Sequence, residues 1–264
     1  MNSPDNLKKM RHSLSHLLAA AVLKLYPDAK PAIGPAVENG FYYDFEFSQP
    51  ISEGDLPKIE EKMREILRTW DDFKVRGLSA EEAREIYREN PYKLELLDEI
   101  EKEGGKITMY VSGDFEDLCR GGHMDSAKDI NLEGFKLSRV AGAYWRGNEK
   151  NKMLTRIYGL AFGNKKELQD YLKRQEEAKE RDHRKLGKEL DLFVFSETVG
   201  KGLPLWTAKG ATIRRELERF VVDEEIKRGY QHVYTPDIAR LDLYRKSGHY
   251  PYYKDSMYAP IKID

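Results

Sequence analysis

Three of the six histidines and the single cysteine of the chain fall into two pairs with the same spacing. His12 and His16 are four residues apart, and so are Cys119 and His123. Residues four apart share one face of a helix, so the first pair should point in one direction. Imidazole and thiol groups bind Zn²⁺ tetrahedrally, and imidazoles also hold and deprotonate water in sites without metal. The pattern predicts one site. It leaves open whether that site is a zinc site, a metal-free pocket or a chance grouping.

The second pair lies in a glycine-containing segment, Cys119-Arg120-Gly121-Gly122-His123. Glycine adopts backbone conformations that other residues avoid, so two adjacent glycines permit a tight turn and close approach of a ligand. We therefore expect a loop here, after a strand that ends near residue 112.

Hydrophobic periodicity predicts the elements that position these groups. Residues 11–26 carry a leucine-rich stripe at helical spacing, and Pro27 ends the helix, so His12 and His16 should lie at the edge of a core. Helices followed by strands between glycine-rich turns are typical of an α+β fold. The predicted helices cover residues 11–26, 56–67, 79–89 and 92–101, the strands cover 107–112, 135–143 and 154–162, and Asn39-Gly40 forms a hairpin turn.

The composition changes after residue 164. Residues 165–192 form a charge-laced stretch that we interpret as a solvated helical connector with ion pairs four residues apart, and a tRNA-facing role for its basic residues is the alternative. Beyond it, the hydrophobic pattern predicts an amphipathic helix at residues 212–228 and short strands at 191–195, 203–206 and 231–235. The predicted domains are residues 1–163, a linker helix at 164–185, and residues 186–264.

The composition describes a globular, highly charged chain of 264 residues, 40% hydrophobic and 34% charged, with a formal net charge of −1. A single cysteine excludes a disulfide within the chain and indicates a reducing, cytoplasmic setting. No segment approaches the roughly 20 apolar residues that cross a bilayer, and residues 1–10 lack the apolar centre of a signal peptide. These features argue against a membrane or secreted protein.

The chain resembles the second N-terminal (editing) domain of bacterial threonyl-tRNA synthetases, a family of class II aminoacyl-tRNA synthetases. Four stretches carry the resemblance in family order: HSLSHLLAAAVLKLYPDAKPAIGPAVENGFYYDF, NPYKLELL, YVSGDFEDLCRGGH and LSRVAGAYWRGNEKNKMLTRIYGLAF. It continues through RDHRKLGKELDLF into the start of the catalytic domain, where residues 209–236 resemble motif 1, the dimer-forming element of that class. The implied fold is helices packed on an antiparallel sheet, a long linker helix, and the beginning of the antiparallel-sheet catalytic domain.

The resemblance implies that seven residues of this chain correspond to the family's editing pocket. Those expected to be catalytic are His12, His16, Lys93, Cys119 and His123, and those expected to bind substrate are Tyr110 and Asp117. His12 and His123 would orient or deprotonate water, Lys93 would stabilise an oxyanion, and Asp117 would bind the seryl ammonium. The family usually has proline where this chain has Gly122, which should loosen the loop without removing a chemical group.

The resemblance also bears on metal. The threonyl branch generally works without metal in this pocket, so we predict no cofactor there. In the related alanyl-type editing domains the same two pairs bind Zn²⁺, and His12, His16, Cys119 and His123 would be the ligands if zinc were bound.

The implied function is a threonine–tRNA ligase whose portion present here hydrolyses Ser-tRNA(Thr). The parent enzyme would use ATP, Mg²⁺ and one catalytic Zn²⁺, with ligands outside this chain, and would be a homodimer through the motif 1 region that binds tRNA(Thr). A second, hydrolytic site is needed because threonine differs from serine by one methyl group. Recognition of one methyl group gives only about 1–3 kcal/mol of selectivity between the two amino acids. The alternatives are a free-standing, zinc-dependent trans-editing hydrolase of the alanyl type and a non-catalytic tRNA-binding module.

Overall fold

A computed structural model describes residues 3–262, in which the chain divides into two compact units, Met1–Lys179 and Glu180–Asp264. The division falls inside the predicted linker. The predicted boundaries at residues 163 and 185 stay a prediction.

The main sheet of the first unit is antiparallel and is built around β3, Gly40–Glu46, and β8, Met153–Ala161. The strand order is β1 (Lys30–Pro31), β3, β8, β7 (Phe135–Tyr144), and β2 (Ala36–Val37) also pairs with β3. Alternate residues of β3 point to one face, which places the rings of Phe41, Tyr43 and Phe45 in the core. Helices α1 (Pro4–Leu25) and α2 (Leu56–Leu67) pack on this face.

A second antiparallel sheet of three strands completes the first unit. It has the order β4 (Lys74–Gly77), β5 (Thr108–Ser112), β6 (Phe115–Leu118). Helices α3 (Ala80–Ile86) and α4 (Pro91–Lys102) share a hydrophobic cluster with β5 through Ala83, Leu97 and Met109. The α+β class and the antiparallel sheets are confirmed, whereas β4 and β6 are short strands that the sequence did not predict.

Helix α1 is longer than predicted because it begins at Pro4. Ser3 caps it by accepting a hydrogen bond from the backbone N–H of Asn6 at 3.2 Å, and proline suits the first turn, where no N–H is needed. The leucine stripe is buried as predicted, with Leu14, Leu17 and Leu18 at most 1% exposed.

The charged stretch at residues 165–192 is two helices rather than one. Helix α5 covers Lys165–Glu180 and α6 covers His183–Glu189. Asp182 separates them because its side chain accepts the backbone N–H of Arg184 at 2.8 Å, which starts a new helix. The stretch is helical as predicted, with an interruption at Asp182.

The second unit contains a two-stranded sheet and several helices. Strands β9 (Phe193–Val194) and β10 (Leu205–Trp206) pair, α7 covers Ala208–Lys227, and α8 (Leu241–Lys246) and α9 (His249–Tyr252) follow. The predicted strand at 231–235 was wrong, because these residues have no paired neighbour among those described, and a strand needs one for its backbone hydrogen bonds. Apolar side chains of α7 are exposed, among them Leu217 at 61% and Phe220 at 65%.

None of the helices within residues 3–262 combines the length and the apolar character that crossing a bilayer requires.

Candidate functional site

The two predicted pairs meet in the first unit. The ring of His123 stacks on that of His12, with centroids 4.2 Å apart, and lies edge-on to that of His16 at 4.4 Å. The Cys119 sulfur is 3.3 Å from Nε2 of His123 and 3.5 Å from Nε2 of His12. One side-chain atom from each of the four residues lies within 4.8 Å of the others. Residues more than 100 positions apart thus form one cluster, which we call the His–Cys cluster.

The glycines of the Cys119 loop allow this approach. Gly121 and Gly122 have φ angles of +108° and +90°, a region that favours glycine. Proline cannot adopt the Gly122 conformation because its ring holds φ near −65°. The loop is tied to β5 by the hydrogen bond from the Cys119 N–H to the Thr108 carbonyl at 3.0 Å.

Substituting alanine for Gly121 should disturb both the loop and the cluster. A Cβ atom there would lie 2.8 Å from the Tyr110 hydroxyl, in addition to the strain of positive φ. We expect a loss of about 1–3 kcal/mol in the free energy of unfolding, measured by urea denaturation. Gly104→Ala is the control, because Gly104 also has positive φ but nothing within 4 Å of its Cβ position. Equal losses in the two variants would contradict a specific role of the contact with Tyr110.

A buried ion pair lies beside the His–Cys cluster. The Lys93 ammonium is 2.5 Å from Oδ1 of Asp117, and the two side chains are 2% and 4% exposed. Tyr43, 1% exposed, accepts a hydrogen bond from Lys93 at 3.1 Å and donates one to Oδ2 of Asp117 at 2.5 Å. Oδ1 also accepts the Leu118 N–H at 2.8 Å and faces the Tyr87 hydroxyl at 3.5 Å. The carboxylate is therefore saturated with donors.

Local sequence places both members of this pair. Asn90 caps α4 by accepting the backbone N–H groups of Tyr92 and Lys93, which sets Lys93 in the first helical turn. A cation is unfavourable at a helix N-terminus, and the Asp117 carboxylate compensates for it. Asp117 pairs with Tyr110 across β5 and β6, and the Tyr110 ring lies 4.4 Å from that of His123.

The site has a rim and a floor. Half-buried His12, Tyr110 and Cys119 form the rim. The floor consists of groups at most 6% exposed: His16, Lys93, Asp117 and His123. All seven predicted residues are thereby brought together, whereas Arg120 points away and forms an exposed ion pair with Glu103 at 2.6 Å.

Burial keeps the imidazoles and the thiol neutral. Desolvation lowers the pKa of His123 to about 2, lowers that of His16 well below its usual value, and lowers that of His12. The other imidazoles add to the effect on His16 and His123, because neighbouring positive charges repel. Burial raises the pKa of the Cys119 thiol to about 11. At neutral pH the cluster therefore offers uncharged nitrogens and a protonated thiol.

These pKa shifts make stability depend on pH. An unfolded chain protonates its histidines below about pH 6.5, while the folded cluster stays neutral, so the unfolded state binds more protons and stability falls as pH falls. Each fully neutral histidine contributes a slope of up to about 1.4 kcal/mol per pH unit between its folded and unfolded pKa. We expect His123→Asn to reduce the slope measured by urea unfolding between pH 7 and pH 5. The substitution His183→Asn, at an exposed residue of the second unit, should leave it unchanged.

The donor set of the His–Cys cluster fits a metal ion, since each of the four residues offers one ligand atom and these atoms lie within 4.8 Å of one another. The rings of His12 and His123 are stacked with 22° between their planes. Nδ1 of His123 is also engaged, 3.3 Å from the Ser13 hydroxyl.

Three residues of this region were missed from the sequence. Tyr43 and Tyr87 surround Asp117, and Ser13 contacts His123. Tyr43 could have been suspected, because alternation along GFYYDFE directs it to the same face as the buried Phe41 and Phe45. No local signal marks Tyr87 or Ser13, since their partners are distant in sequence.

Part of this site matches a known family by sequence. Residues 107–158, which include β5, β6 and the Cys119 loop, match the family described as "Threonyl and Alanyl tRNA synthetase second additional domain".

The comparison with individual proteins extends the match to nearly the whole chain. It is 53% identical to the threonine–tRNA ligase of Anoxybacillus flavithermus over 263 residues, covering 99% of this chain and 40% of that protein. The Staphylococcus carnosus and Streptococcus thermophilus threonine–tRNA ligases are 52% and 53% identical, covering 99% and 98% of this chain and 40% of each relative. The chain thus corresponds to a segment of bacterial threonyl-tRNA synthetases and spans about 40% of the length of these relatives. The predicted resemblance is confirmed.

Proposed function

We propose that the cleft of the first unit hydrolyses Ser-tRNA(Thr), and that the protein to which this segment corresponds is a threonine–tRNA ligase acting on tRNA(Thr). The observation that carries the proposal is the cluster of three neutral imidazoles and a thiol, with the buried Lys93–Asp117 ion pair beside it. These groups suit hydrolysis of an ester, which needs a positioned water, a proton acceptor and a donor for the developing oxyanion.

His12 is the group best suited to accept a proton from water. Its ring is half-buried and neutral, whereas His16 and His123 lie on the floor. In the proposed reaction the water oxygen attacks the seryl carbonyl carbon while its proton passes to His12. The bond from this carbon to the ribose oxygen then breaks, and the ribose oxygen takes up a proton, which leaves serine and free tRNA.

Lys93 is suited to stabilise the oxyanion. An ammonium has three donors, and Asp117 and Tyr43 use two of them, so the third remains for a substrate oxygen or a water. Asp117 contributes first by holding Lys93 in place. To bind the seryl ammonium directly as well, the Asp117 carboxylate would have to give up one of the hydrogen bonds that it now accepts.

The reaction as proposed runs through protein groups and water. Outside this site, the ligase activity of the proposed enzyme would require ATP, Mg²⁺ and a catalytic Zn²⁺ bound elsewhere. Its dimer would form through residues 209–236, which include most of α7 with its exposed Leu217 and Phe220.

The alternative of a free-standing alanyl-type hydrolase is not favoured, because the match to threonine–tRNA ligases continues through the second unit. A tRNA-binding module without catalysis predicts salt-dependent affinity for tRNA but no hydrolysis.

The test is incubation of the chain with Ser-tRNA(Thr) and with Thr-tRNA(Thr), with bound metal measured in parallel. Rapid loss of serine, retention of threonine and less than stoichiometric zinc are expected. Equal stability of both esters would contradict the deacylase function, and loss of activity on chelation would contradict the metal-free mechanism.

A further inference from the structure

Ser13 is a fully buried serine on the inner face of α1, one residue after His12. Its Oγ accepts the backbone N–H of Met124 at 3.0 Å and lies 3.3 Å from Nδ1 of His123. Within residues 3–262, Nδ1 is the acceptor available to the Ser13 hydroxyl hydrogen. A neutral imidazole that accepts at Nδ1 must carry its hydrogen on Nε2.

That assignment sets the direction of the next hydrogen bonds. Nε2–H of His123 donates to the Cys119 sulfur at 3.3 Å, and the Gly121 N–H donates to the same sulfur at 3.3 Å. With two donors on the sulfur, the thiol hydrogen has two acceptors, Nε2 of His12 at 3.5 Å and the Gly121 carbonyl at 3.8 Å, and we assign it to the nearer one, Nε2 of His12. His12 then carries its own hydrogen on Nδ1, on the side of the ring that faces Gly122.

We propose that Ser13 is a positioning residue that holds His123 as the Nε2–H tautomer and, through Cys119, leaves Nε2 of His12 as the proton acceptor at the rim of the cleft. A water entering the cleft replaces the thiol as the donor to His12, and the lone pair that must take its proton is already oriented.

The same tautomer opposes metal binding. His123 has no free lone pair, because Nε2 carries hydrogen and Nδ1 accepts from Ser13. Binding Zn²⁺ through His123 would require the Ser13 hydrogen bond to break or the ring to lose its Nε2 hydrogen.

The tautomer can be read directly by NMR of the full chain labelled with ¹⁵N-histidine, using His123→Asn to assign the His123 resonances. We expect the hydrogen of His123 on Nε2 and Nδ1 hydrogen-bonded. In Ser13→Ala the Nδ1 resonance should move toward that of a ring nitrogen without a hydrogen bond. Ser15→Ala is the control, because this equally buried serine of α1 donates to the backbone carbonyls of His12 and Gly34 and not to His123 within residues 3–262. It should leave the His123 resonances in place.

The catalytic consequence rests on the proposed deacylase function. Ser13→Ala should lower kcat for Ser-tRNA(Thr) by at least about tenfold with KM nearly unchanged, and Ser13→Thr, which keeps the hydroxyl, should restore most of it. A hydrogen on Nδ1 of wild-type His123 would overturn the proposal even if no variant folds. So would an unshifted Nδ1 resonance together with wild-type kcat in Ser13→Ala. A wild-type chain that is inactive but has His123 as the Nε2–H tautomer would support the role of Ser13 and contradict the deacylase function instead.

Discussion

Replacing Lys93 with methionine is expected to lower the free energy of unfolding of the first unit by about 3–5 kcal/mol. Methionine has nearly the same length but no charge, so the Asp117 carboxylate would remain buried without its cation. The remaining donors, from Tyr43, Tyr87 and the Leu118 backbone, are neutral and compensate only in part. Deacylation should be lost as well, because the variant lacks the proposed oxyanion donor.

The measurement is urea unfolding followed by tryptophan fluorescence in a Trp206→Phe background. The remaining tryptophans, Trp70 and Trp145, both belong to the first unit. The control is Lys24→Met, which breaks the exposed ion pair with Asp114 and should cost at most about 1 kcal/mol.

A double variant separates the effect of an unpaired Asp117 charge from the effect of losing the Lys93 side chain. In Lys93→Met combined with Asp117→Asn, the carboxylate is gone, so much of the stability should return while deacylation stays low. If Lys93→Met alone loses no more stability than Lys24→Met, the buried ion pair contributes little to the free energy of unfolding.

Replacing His12 with alanine is expected to slow hydrolysis of Ser-tRNA(Thr) by about 10²–10⁴-fold, the usual effect of removing a group that transfers a proton. Stability should change less than in Lys93→Met, because His12 is only half-buried and its removal leaves no buried charge without a partner. The change should therefore appear in kcat, measured under saturating substrate.

His232→Ala is the control for His12→Ala, because His232 is an exposed histidine of the second unit. It should leave the rate unchanged. Wild-type deacylation by His12→Ala would remove His12 from the mechanism and shift the role of proton acceptor to another cluster member.

Sequence alone was enough to predict the elements with strong local signals. The leucine stripe of α1 and the alternation of β7 and β8 define which faces are buried, and these elements form as expected. The spacing of His12, His16, Cys119 and His123 also identified these four residues as candidates for one site. Elements with weak local signals, such as β4 and β6, were not predicted because they are strands only through their mutual pairing with β5.

The sequence by itself determined which chemical groups this protein has for a site: the imidazoles, the thiol, the ammonium and the carboxylate, and the glycines that let a loop approach them. Only the tertiary structure decided how these groups are arranged in space. Whether Asp117 faces solvent or a buried Lys93, and whether the His123 ring lies beside the Ser13 hydroxyl, depends on packing between residues up to 110 positions apart. Such contacts leave no periodic trace along the chain, because the burial that shifts their pKa values and aligns their hydrogen bonds exists only once the elements have packed.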